Sequence, residues 1–233
     1  MTKVIYRDLG LIDYKEAWDY QENLFNKIIG SKTGKLTAEE SEQNNYLLFC
    51  EHPHVYTLGK SGSEKNLLID YIQLQAKNAV FYKTNRGGDI TYHGPGQIVG
   101  YPILDLEKFK LGVKTYIHSL EESIIRTLSH YGISAERLAG ATGVWLDTET
   151  PKVRKICAIG VRTSLYVSMH GFAFNVNTDL NYFNYINPCG FTDKAVTSLS
   201  KELKTPVNIE EVKKVLLEKI EEVFEMDLEF SVQ

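Results

Sequence analysis

The sequence has few cysteines, no excess of positive charge and no long apolar run. Its three cysteines, at positions 50, 157 and 189, are an odd number without a CxxC pair, which excludes a disulfide-stapled scaffold. Lys and Arg number 26 against 30 Asp and Glu, and no basic tract occurs, so nucleic acid is excluded as a main ligand. Without a stretch of about 18 apolar residues or a signal peptide, the sequence predicts a cytoplasmic protein that does not bind a membrane.

The composition is otherwise that of a globular protein. At 43% hydrophobic and 24% charged residues, the chain can bury a core, and no internal repeat or low-complexity tract interrupts it. We therefore predict a single domain over residues 1–233. The polar stretch at 30–45 has no apolar period and predicts a flexible insert within that domain.

Hydrophobic periodicity divides the chain into helices and strands. Apolar residues at helical spacing predict helices over 14–29, from 117 to near 132, and over 209–224, with Asp13 and Asn208 as N-caps. Runs rich in β-branched and aromatic residues predict strands between them, at 3–8, 46–51, 79–84, 97–104, 142–147, 153–162 and 165–176. Because several strands follow one another between helices, the predicted fold class is α/β with a mixed, largely antiparallel sheet covered by helices.

A glycine-rich segment over 86–97, RGGDITYHGPGQ, is the first candidate for a functional site. Glycines allow a backbone to turn sharply or to approach a ligand closely. The segment lacks the GK[ST] of a Walker A loop and the GxGxxG spacing of a dinucleotide fold, so it matches no nucleotide-binding motif. A glycine-rich hairpin in which Tyr92 and His93 are packing residues fits the segment equally well.

The segment over 153–177 places Lys155 inside an otherwise apolar strand. A lysine in such a strand is expected to have a charged partner or an altered pKa if its side chain is buried. Simple alternation along the strand also allows Lys155 to face solvent. Downstream, His170 and Gly171 fit either a site or the packed end of a strand.

The third candidate is Cys189 in the sequence FNYINPCG at 183–190. Pro188 restricts the backbone before this cysteine, and Gly190 leaves the backbone open after it. Cys50 and Cys157 instead lie in apolar strands, where a cysteine packs as a small hydrophobic residue. If one of the three thiols reacts, Cys189 is the best candidate.

A metal site is a further alternative. Cys50, His52 and His54 alternate in sequence, and a strand would direct all three side chains to one face. A fourth ligand is not apparent, and Pro53 interrupts a regular strand, so zinc is the less favoured interpretation.

Taken together and in order, the three segments resemble one family. The patterns RGGxxTYHGPGQ, KIxAxGxR followed by HGxAxN, and INPCG are similar to those of the lipoyl(octanoyl) transferases, as are HPHVYTLGKSG at 52–62 and VTSL at 196–199. The resemblance spans about 46–200, and several motifs in register are far more specific than any one alone. It implies the fold of the biotin/lipoate protein ligase catalytic domain.

The resemblance also implies an activity and its residues. It implies transfer of an octanoyl group from octanoyl-acyl carrier protein to a lysine of lipoyl domains, with Cys189 as the thioester nucleophile and Lys155 as its partner. The residues that match the family's substrate contacts are Arg86, Gly87, Gly88, Asp89, Ile90, Thr91, Tyr92, His93, Ala158, Ile159, Gly160, His170, Gly171, Phe172 and Ala173. Cys157 departs from the family pattern, which we expect to have a small residue such as alanine beside the site.

The expected acceptors are the lipoyl domains of 2-oxoacid dehydrogenases and the glycine-cleavage H protein, and the enzyme is expected to be a monomer. A thioester is already activated, so no cofactor, metal or ATP is expected. His93 and His170 are alternative bases, because Cys-His pairs are commoner among enzymes than Cys-Lys pairs.

Two other functions remain open at this point. One is an ATP-dependent lipoate or biotin protein ligase, which does not need a nucleophilic cysteine at the INPCG position. The other is a non-catalytic module that binds lipoyl domains or acyl carrier protein with the same surface. Formation of AMP distinguishes the first alternative, and dependence of turnover on Cys189 distinguishes the second.

Overall fold

A computed structural model of the chain describes residues 1–36, 44–187 and 195–230. Its helices are α1 (Tyr14–Thr33), α2 (Tyr71–Ala76), α3 (Val113–His130), α4 (Leu199–Leu203) and α5 (Ile209–Phe224). Its strands are β1 (Thr2–Leu11), β2 (Asn45–Glu51), β3 (Val55–Leu58), β4 (Val80–Lys83), β5 (Ile90–His93), β6 (Gln97–Ile103), β7 (Glu136–Leu138), β8 (Ala141–Leu146), β9 (Arg154–Ser164), β10 (Val167–Asn175), β11 (Ala195–Val196) and β12 (Met226–Phe230). Short 3-10 helices cover Glu64–Asn66 and Leu180–Tyr185.

The main sheet has the strand order β12-β1-β2-β6-β10-β9-β8-β7, with β11 pairing with β9. Pairing is antiparallel from β2 through β6, β10, β9 and β8 to β7. It is parallel between β1 and its two neighbours, and between β11 and β9. The predicted mixed, largely antiparallel α/β fold is therefore confirmed.

Helices cover both faces of the main sheet. Apolar residues of α3 and α5 pack on one face in the largest core cluster, and α1 packs on the opposite face against β2, β6 and β10. A separate three-stranded sheet, in the order β4-β3-β5, has its own smaller apolar cluster with α2 and residues 180–186. The two sheets together supply the walls of the site described below.

The three predicted helices are present, and two begin at the predicted caps. The Asp13 carboxylate accepts from the backbone N–H groups of Lys15 and Glu16, and the Asn208 side chain accepts from the N–H of Glu210. Capping oxygens of this kind satisfy N–H groups that have no helical partner.

Helix α1 is one turn longer than predicted and ends in a left-handed cap at Gly34. The first four residues of the predicted 30–45 insert therefore belong to α1, and Asn45 belongs to β2. Residues 37–43 of that insert lie outside the described residues.

The strand predicted at 165–176 is shorter, because its first two residues form a turn. Leu165 and Tyr166 have φ values of +48° and +59°, and Ser164 pairs with Val167 across them. Two consecutive positive φ values are the requirement of the tight hairpin turn that matches strand twist. Strands β9 and β10 are thus two arms of one hairpin.

Strands β3 and β5, which were not predicted, are only four residues each. No helix among the described residues is long and apolar enough to span a membrane.

Candidate active site

A cavity of about 370 Å³ lies between the main sheet and strand β5 with the loop that precedes it. A cavity of this size is in the range of small-molecule sites. It is lined by Tyr14, Arg86, Gly88, Asp89, Ile90, Thr91, His93, Gln97, Val99, Tyr101, Gly140, Ala141, Thr142, Trp145, Lys155, Ala158, Ile159, Gly160, His170, Gly171, Phe172, Ala173, Asn175, Phe183, Ala195 and Val196.

Arg86 organises the glycine-rich loop. Its side chain is buried, and its Nη2 donates to the Thr57 carbonyl oxygen at 2.6 Å and to the Asp89 carbonyl oxygen at 2.8 Å. The loop closes around the guanidinium, with Gly88 at a φ of +84° that L side chains rarely adopt. The glycine-rich segment is therefore a loop folded on an internal cation, followed by strand β5.

The same loop is attached to the main sheet through β9. The Gly87 N–H donates to the Val161 carbonyl oxygen at 2.9 Å. A Cβ atom at Gly160 would lie 2.8 Å from the Gly87 carbonyl oxygen, closer than real Cβ contacts allow. Gly160 is thus required for the close approach of the loop to β9.

A β-bulge determines which way Lys155 points. Val144 pairs with Cys157, and the next residue, Trp145, pairs with Lys155. Two consecutive residues of β8 therefore face three residues of β9, and Ile156 is the extra residue of the bulge. Ile156 and Cys157 both pack into the main core. Lys155 on one side of the bulge and Ala158 on the other both line the cavity.

Lys155 is half-buried on the cavity wall. Its Nζ lies 4.5 Å from the centroid of the Trp145 ring, within the range of a cation–π interaction. The alternative interpretation, in which Lys155 faces solvent on a regular strand, is not what the structure contains. Without the bulge, Lys155 would share the face of Cys157, which packs into the main core.

The sequence predicts Cys157 beside the site, and this prediction differs from the structure. Its side chain is fully buried in the main core, and it does not line the cavity. Burial raises the pKa of the Cys157 thiol, which keeps the sulfur protonated and unreactive. Cys157 is therefore a packing residue, as its small volume implies.

Cys189 lies outside the described residues, but the chain on both sides of it is described. Before it, the Asn187 N–H donates to the Asn66 carbonyl oxygen at 2.8 Å. After it, Val196 in β11 pairs with Lys155, and the Thr197 N–H donates to the Lys155 carbonyl oxygen at 2.9 Å. The segment that contains Cys189 thus joins two points of the structure, and the second of them is adjacent to Lys155.

Most of the predicted substrate-binding residues line the cavity, and two do not. Gly87 faces β9, as described above. The Tyr92 ring is fully buried in the smaller sheet, where its hydroxyl lies 2.7 Å from His54 Nδ1. The other predicted residues and Lys155 are all in the wall.

The cavity also has residues that the sequence did not single out: Tyr14, Gln97, Val99, Tyr101, Gly140, Ala141, Thr142, Trp145, Asn175, Phe183, Ala195 and Val196. Gln97 had a usable signal, because it ends the glycine-rich motif. Tyr14 and Trp145 had none, because each is indistinguishable in sequence from an ordinary core residue.

Cys50, His52 and His54 do not form a metal site. Cys50 Sγ and His52 Nε2 are 3.5 Å apart, but the His54 ring stacks on Tyr182 at 4.1 Å between centroids. No group of three or more His, Cys, Asp or Glu side chains with metal-binding geometry occurs within 1–36, 44–187 and 195–230. The interruption at Pro53 directs His54 to the smaller sheet, which the alternation argument did not anticipate.

Three histidines near the cavity are buried in neutral form. Burial lowers the pKa of His52 from 6.5 to about 4 and that of His170 to about 3, and it places the pKa of His93 well below 6.5. His52 Nδ1 lies 2.8 Å from the Ile12 carbonyl oxygen, which can only accept, so Nδ1 carries the proton and Nε2 accepts from the Tyr101 hydroxyl at 2.7 Å.

These histidines predict a specific loss of stability in acid. Their folded pKa values lie below the unfolded value of 6.5, so their contribution is complete above pH 6.5 and is lost as the pH falls toward about 4. The loss is at most about 1.4 kcal/mol per pH unit for each histidine. Urea unfolding at intervals between pH 7.5 and pH 5 measures the free energy of unfolding over this window.

A pair of variants isolates the histidine contribution to that slope. His52→Gln removes one buried titrating group and should make the slope shallower, whatever its effect on stability at pH 7.5. His118→Gln changes an exposed histidine on α3 and should leave the slope unchanged. Equal slopes in the two variants and the unmodified protein would show that His52 does not produce the effect.

The fold belongs to the class of lipoate protein ligases. A bipartite lipoate protein ligase from Thermoplasma acidophilum superposes with a TM-score of 0.70, over 100% of this chain and 88% of that chain, at 14% identity. A lipoate-protein ligase A bound with ATP superposes with a TM-score of 0.68, over 100% of this chain and 90% of that one, at 13% identity. At these identities the likeness establishes the fold alone.

Sequence similarity establishes the family. Residues 13–221 match the lipoyl protein ligase A/B catalytic domain. The chain is 57% identical to the octanoyltransferase of Christiangramia forsetii over 98% of this chain and 99% of that protein. A second octanoyltransferase, from Cytophaga hutchinsonii, is 54% identical over 97% of this chain and 94% of its own length. The chain belongs to the lipoyl protein ligase A/B catalytic domain family, which confirms the resemblance found in the motifs.

Proposed function

We propose that this protein is an octanoyltransferase of lipoate biosynthesis. It takes an octanoyl group from octanoyl-acyl carrier protein onto Cys189 as a thioester and passes it to a lysine of a lipoyl domain. The observation that carries the proposal is the position of Lys155 on the cavity wall, paired with the strand that leads out of the Cys189 segment. The full-length identity to octanoyltransferases supports the same substrate.

Cys189 and Lys155 divide the chemistry into two steps. In the first, the Cys189 thiolate attacks the thioester carbonyl, and the pantetheine thiolate leaves and takes a proton from the Lys155 ammonium. In the second, the amine of the acceptor lysine attacks the acyl-Cys189 carbonyl, its proton passes to the neutral Lys155 amine, and the Cys189 thiolate leaves. The ammonium is thereby restored, and neither step consumes ATP.

The cavity wall suits an acyl chain. Apolar side chains from both sheets face it, including Ile90, Val99 and Phe172. Each methylene moved from water into such a wall contributes about 0.8 kcal/mol. The predicted contacts other than Gly87 and Tyr92 line the same space.

The expected acceptors are the lipoyl domains of 2-oxoacid dehydrogenases and the glycine-cleavage H protein, met in the cytoplasm by a monomeric enzyme. The neutral histidines His93 and His170 serve as hydrogen-bonding groups of the pocket. His93 Nδ1 lies 2.9 Å from Gln97 Oε1, and His170 Nε2 lies 2.7 Å from Asn85 Oδ1. These contacts support Lys155, rather than a histidine, as the proton carrier.

Intact-protein mass spectrometry tests this function. The protein is mixed with octanoyl-acyl carrier protein, without ATP or acceptor, and then digested to locate any adduct. We expect a gain of one octanoyl group on the peptide that contains Cys189, labile to hydroxylamine. Addition of a lipoyl domain should then remove the group from the enzyme and add it to the domain.

A parallel reaction with free octanoate and ATP tests the ligase alternative. AMP formation there, with no adduct from the carrier protein, would overturn the proposed function in favour of a ligase. Neither adduct nor AMP, with retained binding of the lipoyl domain, would favour a binding module.

A further inference from the structure

The transfer mechanism above gives no role to Trp145 of β8, which lies beside Lys155. Trp145 is the cross-strand partner of Lys155. It is only 2% exposed, and its Nε1 donates to the Ala141 carbonyl oxygen four residues earlier at 2.9 Å. That hydrogen bond fixes the plane of the indole, because rotation of the ring would leave a buried N–H unpaired.

The ring presents its face to the ammonium. The distance of 4.5 Å from Nζ to the ring centroid is well inside the limit of about 6 Å for cation–π attraction, and tryptophan is the strongest partner of this kind. The attraction acts on the ammonium and not on the neutral amine. It therefore favours the charged form of Lys155 and restrains where that charge lies.

Gly143 allows β8 to pass close to the backbone of β9 beside the lysine stem. A Cβ atom at Gly143 would lie 3.4 Å from Lys155 Cε, and 2.6 Å from the Cys157 carbonyl oxygen. The φ of Gly143 is +125°, a value that L side chains rarely adopt. Only glycine at this position allows β8 to approach the bulged part of β9.

Glu121 of α3 holds the backbone at Gly143. The carboxylate is buried and accepts from the Gly143 N–H at 3.0 Å through Oε1. Its Oε2 accepts from Arg137 Nε at 3.0 Å. The strand that carries Trp145 is therefore anchored to α3 two residues before the indole.

We propose that Trp145 is a positioning residue for Lys155, with Gly143 and Glu121 holding the strand in the geometry that this requires. The indole keeps the ammonium at the cavity wall, where the transfer needs it to stabilise the Cys189 thiolate and to protonate the leaving thiolate. This inference rests on the proposed octanoyl transfer. It adds a residue that does not touch the reacting atoms.

The first test compares Trp145→Phe with Trp145→Leu. Both variants remove the indole N–H, and only phenylalanine retains an aromatic face. In single-turnover acylation of Cys189 at pH 7, Trp145→Leu should be slower by about tenfold, or about 1.4 kcal/mol, and Trp145→Phe by about threefold or less. Trp145 also lines the cavity, so the Michaelis constant for the acyl donor is measured alongside, and a positioning role predicts that the loss lies in the acylation rate more than in this constant.

The pH profile separates positioning from packing. Loss of the aromatic face favours the neutral amine, so the alkaline decline in rate should begin about one pH unit lower in Trp145→Leu. A packing defect would lower the rate at all pH values equally. Equal rates and equal pH profiles in the two variants would overturn the inference.

Fluorinated tryptophan tests the inference without changing the shape of the core. The chain has two tryptophans, so Trp18→Phe leaves Trp145 as the one labelled residue. Monofluoro- and difluorotryptophan withdraw charge from the ring face, and the acylation rate should fall stepwise relative to unlabelled Trp18→Phe. Rates independent of fluorination would overturn the inference even if Trp145→Leu fails to fold.

A fluorescence titration distinguishes failure of this inference from failure of the proposed function. In the Trp18→Phe background, emission from Trp145 should change at alkaline pH as Lys155 loses its proton, and Lys155→Met should remove that change. If the unmodified protein takes no octanoyl group, the proposed function is wrong, and the titration decides the indole–lysine contact alone. A titration that is the same with and without Lys155 would overturn the contact.

Discussion

Replacing Cys189 by alanine is expected to abolish both the octanoyl adduct and transfer to a lipoyl domain. Cysteine divides the transfer into thiol exchange and aminolysis, and without it the acceptor amine must attack the carrier thioester directly. We expect turnover to fall by at least about a thousandfold, or about 4 kcal/mol. The adduct is measured by intact mass, and transfer by the mass of the acceptor domain.

The other two cysteines are matched controls for this experiment. Cys50 and Cys157 are free and buried, and burial raises the pKa of each thiol. Cys157→Ala should therefore acquire the octanoyl group as the unmodified protein does. Retention of the adduct in Cys189→Ala, or its loss in Cys157→Ala, would contradict the assignment of the nucleophile.

Replacing Lys155 by methionine is expected to slow both half-reactions by about a hundredfold or more. Methionine retains much of the side-chain volume in the space beside Gly143 and removes the charge. An ammonium about 4 Å from a thiolate is worth at most about 4 kcal/mol at an effective dielectric constant of 20. A free thiol is only a few per cent ionised at neutral pH, so loss of this attraction leaves little nucleophile.

The pH dependence identifies the cause of the defect. Acylation of Lys155→Met should increase steadily above pH 7, because the Cys189 thiol must then ionise without the ammonium. Lys214→Met, at an exposed position on α5, is the matched control and should keep the original rate and profile. Unchanged turnover in Lys155→Met would overturn the proposed pairing of Lys155 with Cys189.

Much of the fold could be predicted, because its signals are local. The stripes that begin after Asp13 and Asn208 are long and periodic, and both caps are present. Strands β3 and β5 were not predicted, because each has four residues and glycine or proline nearby. Such short strands form through pairing with each other, which a local pattern does not contain.

The residues of the site could be predicted from its motifs, but the directions in which their side chains point could not. Alternation along β9 puts Lys155 and Cys157 on one face, whereas the bulge sends Lys155 to the cavity and Cys157 to the core. The bulge arises from pairing with β8 and from a glycine held by Glu121 of α3. These contacts join residues that are far apart in sequence, so no window around Lys155 contains them.

The bulge makes the number of residues between Lys155 and Gly160 as important as their identity. Deletion of Ile156 would restore simple alternation with Lys155, Ala158 and Gly160 still on one face, but it would remove a buried side chain from the main core and bring Lys155 about 3.3 Å closer to Gly160 along the strand. An added residue beside it would move Lys155 away from Gly160 by a similar distance. An insertion at Leu165 and Tyr166 would lengthen a turn whose side chains are exposed. Within this hairpin, changes of length are therefore expected to be confined to the turn and absent from the few residues around the bulge.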